Sequence, residues 1–237
     1  MTGIDCPDCL NRGDYLEITN DGYEVVRFCH CLEARRAGER IARSGFSATI
    51  DRLTFDSYTS TEPWQVSTKE MAQEYLRELR SGGDRWFTLT GQPGCGKTHL
   101  CTAICGSLLK DGQAVMYAMW ASEIRKIKAK VLDENAMEDL FYPLMNAKIL
   151  YIDDLFKGCG RSAGIISPSD AEKRLAFELI NFRYTTRRPT IISCEYSLSG
   201  ELLAVDDATF SRVYEMSGKY NRHIKPEIGR NYRMASA

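Results

Sequence analysis

The sequence has no run of about 18 apolar residues, the length at which a segment reads as a membrane-spanning helix, and no membrane partner is expected. It also lacks an excess of charge of either sign. With 31 basic and 32 acidic residues the formal net charge is −1. No global field therefore draws it to nucleic acid, and any DNA contact has to come from a local patch. Met1-Thr2-Gly3-Ile4-Asp5 is not the opening of a signal peptide. Nine cysteines cannot all pair, and several stand in apolar or motif contexts. This points to a reducing cytosol and away from a disulfide framework. What the chain does have is 237 residues and 43% hydrophobic content, enough to bury a proper core in one domain or two.

The stretch with the most chemistry runs from Trp86 to Thr98, W-F-T-L-T-G-Q-P-G-C-G-K-T. β-Favouring residues lead into a glycine-rich turn, and a helical pattern follows. Gly91, Gly96, Lys97 and Thr98 fit the phosphate-binding loop G-x-x-x-x-G-K-[ST]. Gly91, Gly94 and Gly96 let the backbone curl until its N–H groups face phosphate oxygens. The next helix adds its N-terminal dipole. Lys97 would reach the β- and γ-phosphates and the Thr98 hydroxyl would hold Mg²⁺. Cys95 within the turn and His99 just after it complete the ATP-binding set.

At the other end, Cys6-Pro7-Asp8-Cys9 and Cys29-His30-Cys31 flank two short strands, Tyr15 to Ile18 and Tyr23 to Phe28. Asn20-Asp21-Gly22 between them is a hairpin turn signal. Such a hairpin brings the cysteine pairs together, and the four thiolates of Cys6, Cys9, Cys29 and Cys31 suit a structural Zn²⁺. So short a segment could hardly fold without a metal. His30 could replace one ligand. A helix over Leu32 to Arg43 should follow, carrying Arg35, Arg36, Arg40 and Arg43. Its cations are either a solvated face or a partner- or DNA-facing surface.

Phe46 to Gln65 reads as a connector that packs down through Phe55, Tyr58 and Trp64. Ser67-Thr68-Lys69-Glu70 resembles a capping box, and Met71, Tyr75, Leu76 and Leu79 form one apolar helical face. Beyond the phosphate loop, a helix to Leu109 and a buried strand over Ala114 to Met119 are expected. Ser122 to Val131 reads as a helix with Arg125, Lys126, Lys128 and Lys130, again a nucleic-acid contact or a solvated face.

Lys148 to Asp154, K-I-L-Y-I-D-D, is a buried parallel strand with an acidic end, the form of a Walker B motif. Asp153 would join the Mg²⁺ shell and Asp154 would orient or deprotonate the attacking water. A Gly/Ser-rich loop with Arg161 precedes a helix capped by Ser169 and Glu172. After the next strand, Thr190 to Ser193, either Ser193 or Glu195 is placed to sense the γ-phosphate or position water. Asp207 to Glu215 reads as a helix, and the polar tail has a final strand near His223 to Lys225.

This order of motifs, with P-T-I-I-S-C-E and then F-S-R-V-Y-E-M, resembles the AAA+ ATPases of the DnaC/DnaI type, the bacterial and phage loaders of the replicative helicase. Their relatives include IstB, the ATPase helper of certain transposons. The N-terminal C-P-D-C and C-H-C before a basic helix resemble the zinc module of the DnaI-like branch. The resemblance covers essentially the whole chain. It implies an α/β P-loop AAA+ core, a parallel sheet flanked by helices, with no C-terminal lid and with a small zinc-binding module in front.

The resemblance divides the chain into a helicase-interacting zinc module at 1–45, a linker and leading helix at 46–84, and the ATPase domain at 85–237. It makes Arg212 an arginine finger acting in trans on a neighbour's ATP, so that self-association completes the site and hydrolysis alone is slow. Glu195 falls where many relatives carry a sensor asparagine, a departure from the pattern, and Arg230 or Arg233 stands in the region of a sensor-2 arginine. The basic stretch at 125–130 lies where the family binds single-stranded DNA. The implied function is ATP-dependent loading of a DnaB-type helicase onto single-stranded DNA, with ATP, Mg²⁺ and Zn²⁺, in the cytoplasm of a bacterial cell. The alternatives are a transposase-assisting ATPase and a nucleotide-gated adaptor without turnover.

Overall fold

The computed structural model describes residues 6–29, 31–32, 35–36, 39, 47–130, 133–162, 165–227 and 229–232. His30, Arg40, Arg43 and Arg233, named above, lie outside them, as does the end of the helix expected to reach Val131. Among the described residues no helix is long and apolar enough to cross a membrane.

The chain opens with a two-stranded antiparallel hairpin, β1 (Asp14–Ile18) and β2 (Glu24–Phe28), paired Leu16 to Val26 across the Asn20-Asp21-Gly22 turn. Nearly every strand position is exposed. The buried cluster of this segment, among the described residues, is Cys6, Cys9, Cys29 and Cys31.

The rest of the fold is a five-stranded parallel sheet with helices on both faces. Its strands are β3 (Phe87–Gly91), β4 (Val115–Met119), β5 (Ile149–Leu155), β8 (Thr190–Cys194) and β9 (Asn221–Ile224), in the order β4-β5-β8-β3-β9. Every pairing in it is parallel. β3 and β8 are buried at all five positions, as strands covered by helices on both sides must be. Alternate residues feed two cores: Tyr151 and Ile191 face one, and Leu150, Ile152 and Ile192 face the other. β4 is only half buried because it is the sheet edge, and Met119 there is exposed.

One face carries α1 (Ser47–Arg52), α2 (Pro63–Arg80) and α3 (Lys97–Lys110). α2 starts earlier than Ser67 implies: Pro63 occupies its first turn, and the Gln65 side chain accepts from the Glu62 N–H at 2.9 Å. Ser67 and Thr68 instead donate to the Trp64 carbonyl from inside the helix. Tyr58, Met71, Ala72, Tyr75 and Leu76 share one core with Phe87 and Leu89, so the connector and leading helix are packed as part of the ATPase layer.

The other face carries α4 (Trp120–Lys128), α5 (Glu134–Asn146), α6 (Asp170–Thr185) and α7 (Asp207–Ser217). α5, with Pro143 inside it, has no counterpart in the sequence reading. A small hairpin, β6 (Gly160–Ser162) and β7 (Ile165–Ser167), occupies the Gly/Ser-rich loop. Ser169 caps α6 with Glu172, as its spacing predicts. Arg183 on α6 is fully buried, and its guanidinium donates to Thr190 Oγ1 and to the carbonyls of Leu144, Met145, Ala147 and Pro189. It ties the end of α5 to the start of β8. Burial lowers its pKa to about 9.

The tail is less separate than its polarity suggests. β9 pairs with β3, and the chain then returns along the phosphate loop. Gln92 and Glu227 exchange two hydrogen bonds, and the Tyr232 N–H donates to the Gly94 carbonyl at 3.1 Å.

Candidate nucleotide and metal sites

The phosphate loop joins β3 to α3 at the carboxyl edge of the sheet, where open α/β sheets bind ligands. Gly94 and Gly96 have φ of 77° and 92°, a region side chains rarely adopt. A Cβ at Gly96 would lie 2.9 Å from the Tyr58 ring, and one at Gly94 would collide with Asn231. Lys97 is buried, and its ammonium donates to the carbonyls of Gly91 at 2.7 Å and Gln92 at 2.9 Å, which keeps the cation inside the loop. The Tyr58 hydroxyl beside Gly96 is buried without a hydrogen-bond partner among the described residues. His99 turns away to the connector: Nε2 lies 2.8 Å from the Thr54 carbonyl and the ring meets Tyr58 edge-on at 5.1 Å. Cys95 is sealed within the turn, and burial pushes its thiol up.

Asp153 is buried near the end of β5. Oδ1 accepts from Tyr151 Oη at 2.6 Å, Ser193 Oγ at 2.6 Å and Thr98 Oγ1 at 3.3 Å, and Oδ2 accepts from Tyr117 Oη at 3.0 Å. Burial, and after it the Asp153 charge, pushes the Tyr117 phenol up, so it remains a donor. The register explains the cage. Tyr151 precedes Asp153 by two and shares its face, Tyr117 pairs with Tyr151, and Ser193 stands on the adjoining strand. In the sequence Tyr151 reads as one more residue of a buried strand, and Tyr117 carries no signal that sets it apart. Period-two alternation was the available signal for Tyr151. The Thr98–Asp153 contact brings together the two residues expected to hold Mg²⁺, and their hard oxygen donors fit that ion.

Asp154 follows with φ of 55°, its N–H donating to Ser193 Oγ at 2.9 Å. Ser193 is therefore wholly engaged by the aspartate pair and fully buried. Its hydroxyl proton is given to Asp153, whereas Glu195 lies just past the end of β8 and is partly exposed. The Glu195 and Asp154 carboxylates meet one cation absent from the sequence reading, Lys157, at 3.0 and 2.8 Å.

The remaining candidates are dispersed. Arg212 on α7 is half-buried, with its guanidinium 5.7 Å from the ring centres of both Phe177 and Tyr184, and it has no ion pair among the described residues. Arg230 pairs with Glu227 in the tail and stacks on Trp64 of α2 at 5.2 Å. Of the basic stretch, Lys126 pairs with Glu123 at 2.8 Å, and Lys128 contacts Ser169 at 3.1 Å and Glu172 at 3.7 Å. Arg125 and Lys130 are exposed, and Lys130 lies beyond the end of α4. Arg35 bonds back to the Asn11 carbonyl and is not part of a free basic surface.

In the N-terminal module the four cysteine sulfurs lie within 4.8 Å of one another, with Cys6–Cys29 at 3.5 Å and Cys9–Cys31 at 3.3 Å. Zn–S bonds of about 2.3 Å in a tetrahedron set sulfurs about 3.8 Å apart, so the donor set fits zinc without His30. Burial raises the Cys9 thiol, but the Gly13 N–H and the neighbouring thiols outweigh it and bring it down to about 6. Burial and Cys9 push Cys31 up to about 12.

A phosphate loop on β3, an aspartate pair on β5 and this strand order define an AAA+ ATP-binding domain. Residues 35–213 match the family described as IstB-like ATP binding protein, and the chain belongs to that family. It is similar to the phage-like element PBSX protein XkdC of Bacillus subtilis (strain 168), at 29% identity over 228 residues, 93% of this chain and 82% of that protein. It is also similar to the replicative helicase loader DnaC of Escherichia coli (strain K12), at 28% over 149 residues, 62% of this chain and 57% of that protein. Among solved structures, the crystal structure of the DnaC helicase loader has the same fold, with a TM-score of 0.61 at 23% identity, covering 76% of this chain and 99% of that one.

Proposed function

We propose that the chain is an ATP-dependent loader of a DnaB-type replicative helicase onto single-stranded DNA, acting in the cytoplasm of a bacterial cell. The observation that carries the reading is an ATP site complete in its phosphate loop and aspartate pair, in a chain similar to a named helicase loader. Lys97 holds the β- and γ-phosphates, Thr98 and Asp153 hold Mg²⁺, and Asp154 orients the attacking water. Mg²⁺ supplies charge neutralisation at the phosphates.

Arg212 serves a neighbouring subunit. A half-buried guanidinium with no acid partner among the described residues is suited to a γ-phosphate from outside its own chain. ATP then acts as a switch for assembly and release, and turnover by the lone chain is slow.

The zinc module is the helicase-docking element. Leu16, Ile18, Val26 and Phe28 lie on one face of its hairpin and are all exposed, an apolar surface too small to fold upon itself. The transposase-helper reading is less favoured, because the relatives of this chain include a helicase loader and a phage-element protein.

The test is retention of a purified DnaB-type helicase on the immobilised chain with ATP and Mg²⁺, followed by transfer of that helicase to circular single-stranded DNA. Co-elution and ATP-dependent transfer are expected. Binding of a transposase and not of the helicase would overturn the reading.

A further inference from the structure

Asp154 is the last residue but one of β5, Glu195 directly follows the neighbouring β8, and one ammonium bridges them. Lys157 Nζ lies 2.8 Å from Asp154 Oδ2 and 3.0 Å from Glu195 Oε1. The turn after β5 is built to bring it back. Asp154 and Phe156 both take left-handed conformations, φ 55° and 59°, and the Lys157 N–H donates to the Asp154 carbonyl at 2.9 Å. Such angles are costly for non-glycine residues and persist only where the surroundings impose them. Here the fully buried Phe156 ring is gripped edge-on by Trp120 at 5.4 Å and Phe210 at 5.8 Å. The turn is therefore fixed from below, and the lysine is presented at the carboxyl edge of the sheet. Glu195 directly follows β8, and β8 is hydrogen-bonded to β3, whose end is the phosphate loop.

Neither Ser193 nor Glu195 offers a free donor here. A glutamate has no donor when ionised and repels a phosphate. Ser193 is sealed and engaged by Asp153 and Asp154. An ammonium has three donors, and two of those of Lys157 are used. The third remains for an anionic oxygen. We propose that Lys157 is the γ-phosphate-recognising cation of this ATP site, and that Glu195 is the residue that positions it. Glu195 thereby replaces a directly sensing side chain with a carboxylate–lysine couple. The same ammonium is the counter-charge of Asp154, so its attraction to the γ-phosphate frees that carboxylate to orient water. The inference rests on the ATP reading of the site.

The test compares affinities of the full chain for a non-hydrolysable ATP analogue and for ADP, each with Mg²⁺. Lys157→Met keeps the aliphatic stem and removes the charge. It should weaken the ATP analogue about tenfold or more, the scale of a charged hydrogen bond, and ADP by less than about twofold. Lys157→Arg should restore part of the difference. Glu195→Gln should weaken the analogue in the native background and cost nothing further alongside Lys157→Met, because a positioning residue acts only through what it positions. A Lys157→Met protein whose ATP-to-ADP affinity ratio equals that of the native chain, with only a lower melting temperature, would overturn the proposal and leave a structural ion pair. A native chain that binds neither nucleotide would overturn the ATP reading itself.

Discussion

The hairpin β1–β2 and the strand pair β3–β8 have similar sequences to the eye, short and rich in β-branched and aromatic residues, but opposite surroundings. β3 and β8 are buried at every position, whereas β1 is exposed at every position and β2 at all but one. The sheet is held by two apolar clusters, at roughly 25 cal/mol for each Å² removed from water. The hairpin has four sulfurs in place of a core. Strand-forming sequence is thus no measure of burial. In the proposed reading the hairpin is incomplete as a fold without a metal, and the sheet, complete as a fold, is incomplete as a catalytic site without a second subunit's arginine.

The largest effect that tests this contrast is loss of the metal. Structural zinc contributes about 10–16 kcal/mol of binding free energy that is also folding free energy. Purified protein should contain about one zinc per chain. Chelation or the double variant Cys6→Ser/Cys29→Ser should remove it and melt the hairpin, with ATP-analogue affinity unchanged. Because the ligands are thiolates, acidification should release the metal as protons compete for them. Full zinc content in the double variant would refute the site, and loss of nucleotide binding would show the two regions to be one unit.

Next in size is the subunit dependence of the second region. Arg212→Ala should bind ATP normally and lose about 10³-fold or more in assembled-state hydrolysis. Asp154→Asn should fail likewise. Mixing the two inactive proteins with single-stranded DNA or helicase should restore part of the activity, because some interfaces then pair an intact Asp154 with an intact Arg212. Wild-type turnover by Arg212→Ala under those conditions would end the assignment.

Stability of the sheet should respond to Arg183. Its replacement by Met leaves one hydroxyl and four carbonyls at the α5–β8 junction short of a donor. The expected loss is about 3 kcal/mol or more in urea unfolding followed by tryptophan fluorescence. Zinc content should not change. An unaltered midpoint would mean that solvent reaches the junction.

The smallest effect concerns DNA. Arg125 and Lys130 are exposed without an ion pair among the described residues, while Lys126 and Lys128 have acidic neighbours. If the patch binds single strands, reversing Arg125 and Lys130 should lower the slope of log affinity against log salt by about 0.7 for each phosphate that is no longer neutralised. Reversing Lys126 and Lys128 should do less to the slope and more to the local packing. Equal slopes for all variants would leave α4 with a solvated face.

Much of this protein was legible in its residues alone. The phosphate loop, the aspartate pair and the cysteine knuckles are local patterns, in which spacing along the chain fixes spacing in space, because a tight turn or a hairpin leaves few geometries. The capping of α6 by Ser169 and Glu172 is of the same kind. Where a local signal competed with another, as at Ser67 against Pro63, the helix began where proline fits its first turn. The tertiary structure alone decided the rest. The hydroxyl cage of Asp153 depends on the register of three strands, and the Lys157 bridge on the juxtaposition of two strand ends. The pairing of β9 with β3 and the contact of Lys128 with Glu172 depend on segments far apart in sequence. Periodicity says which side of an element faces inward, but it carries no information on which distant element lies opposite, and the contacts of Tyr117 and Ser193 with Asp153 and of Lys157 with Glu195 are of that second kind.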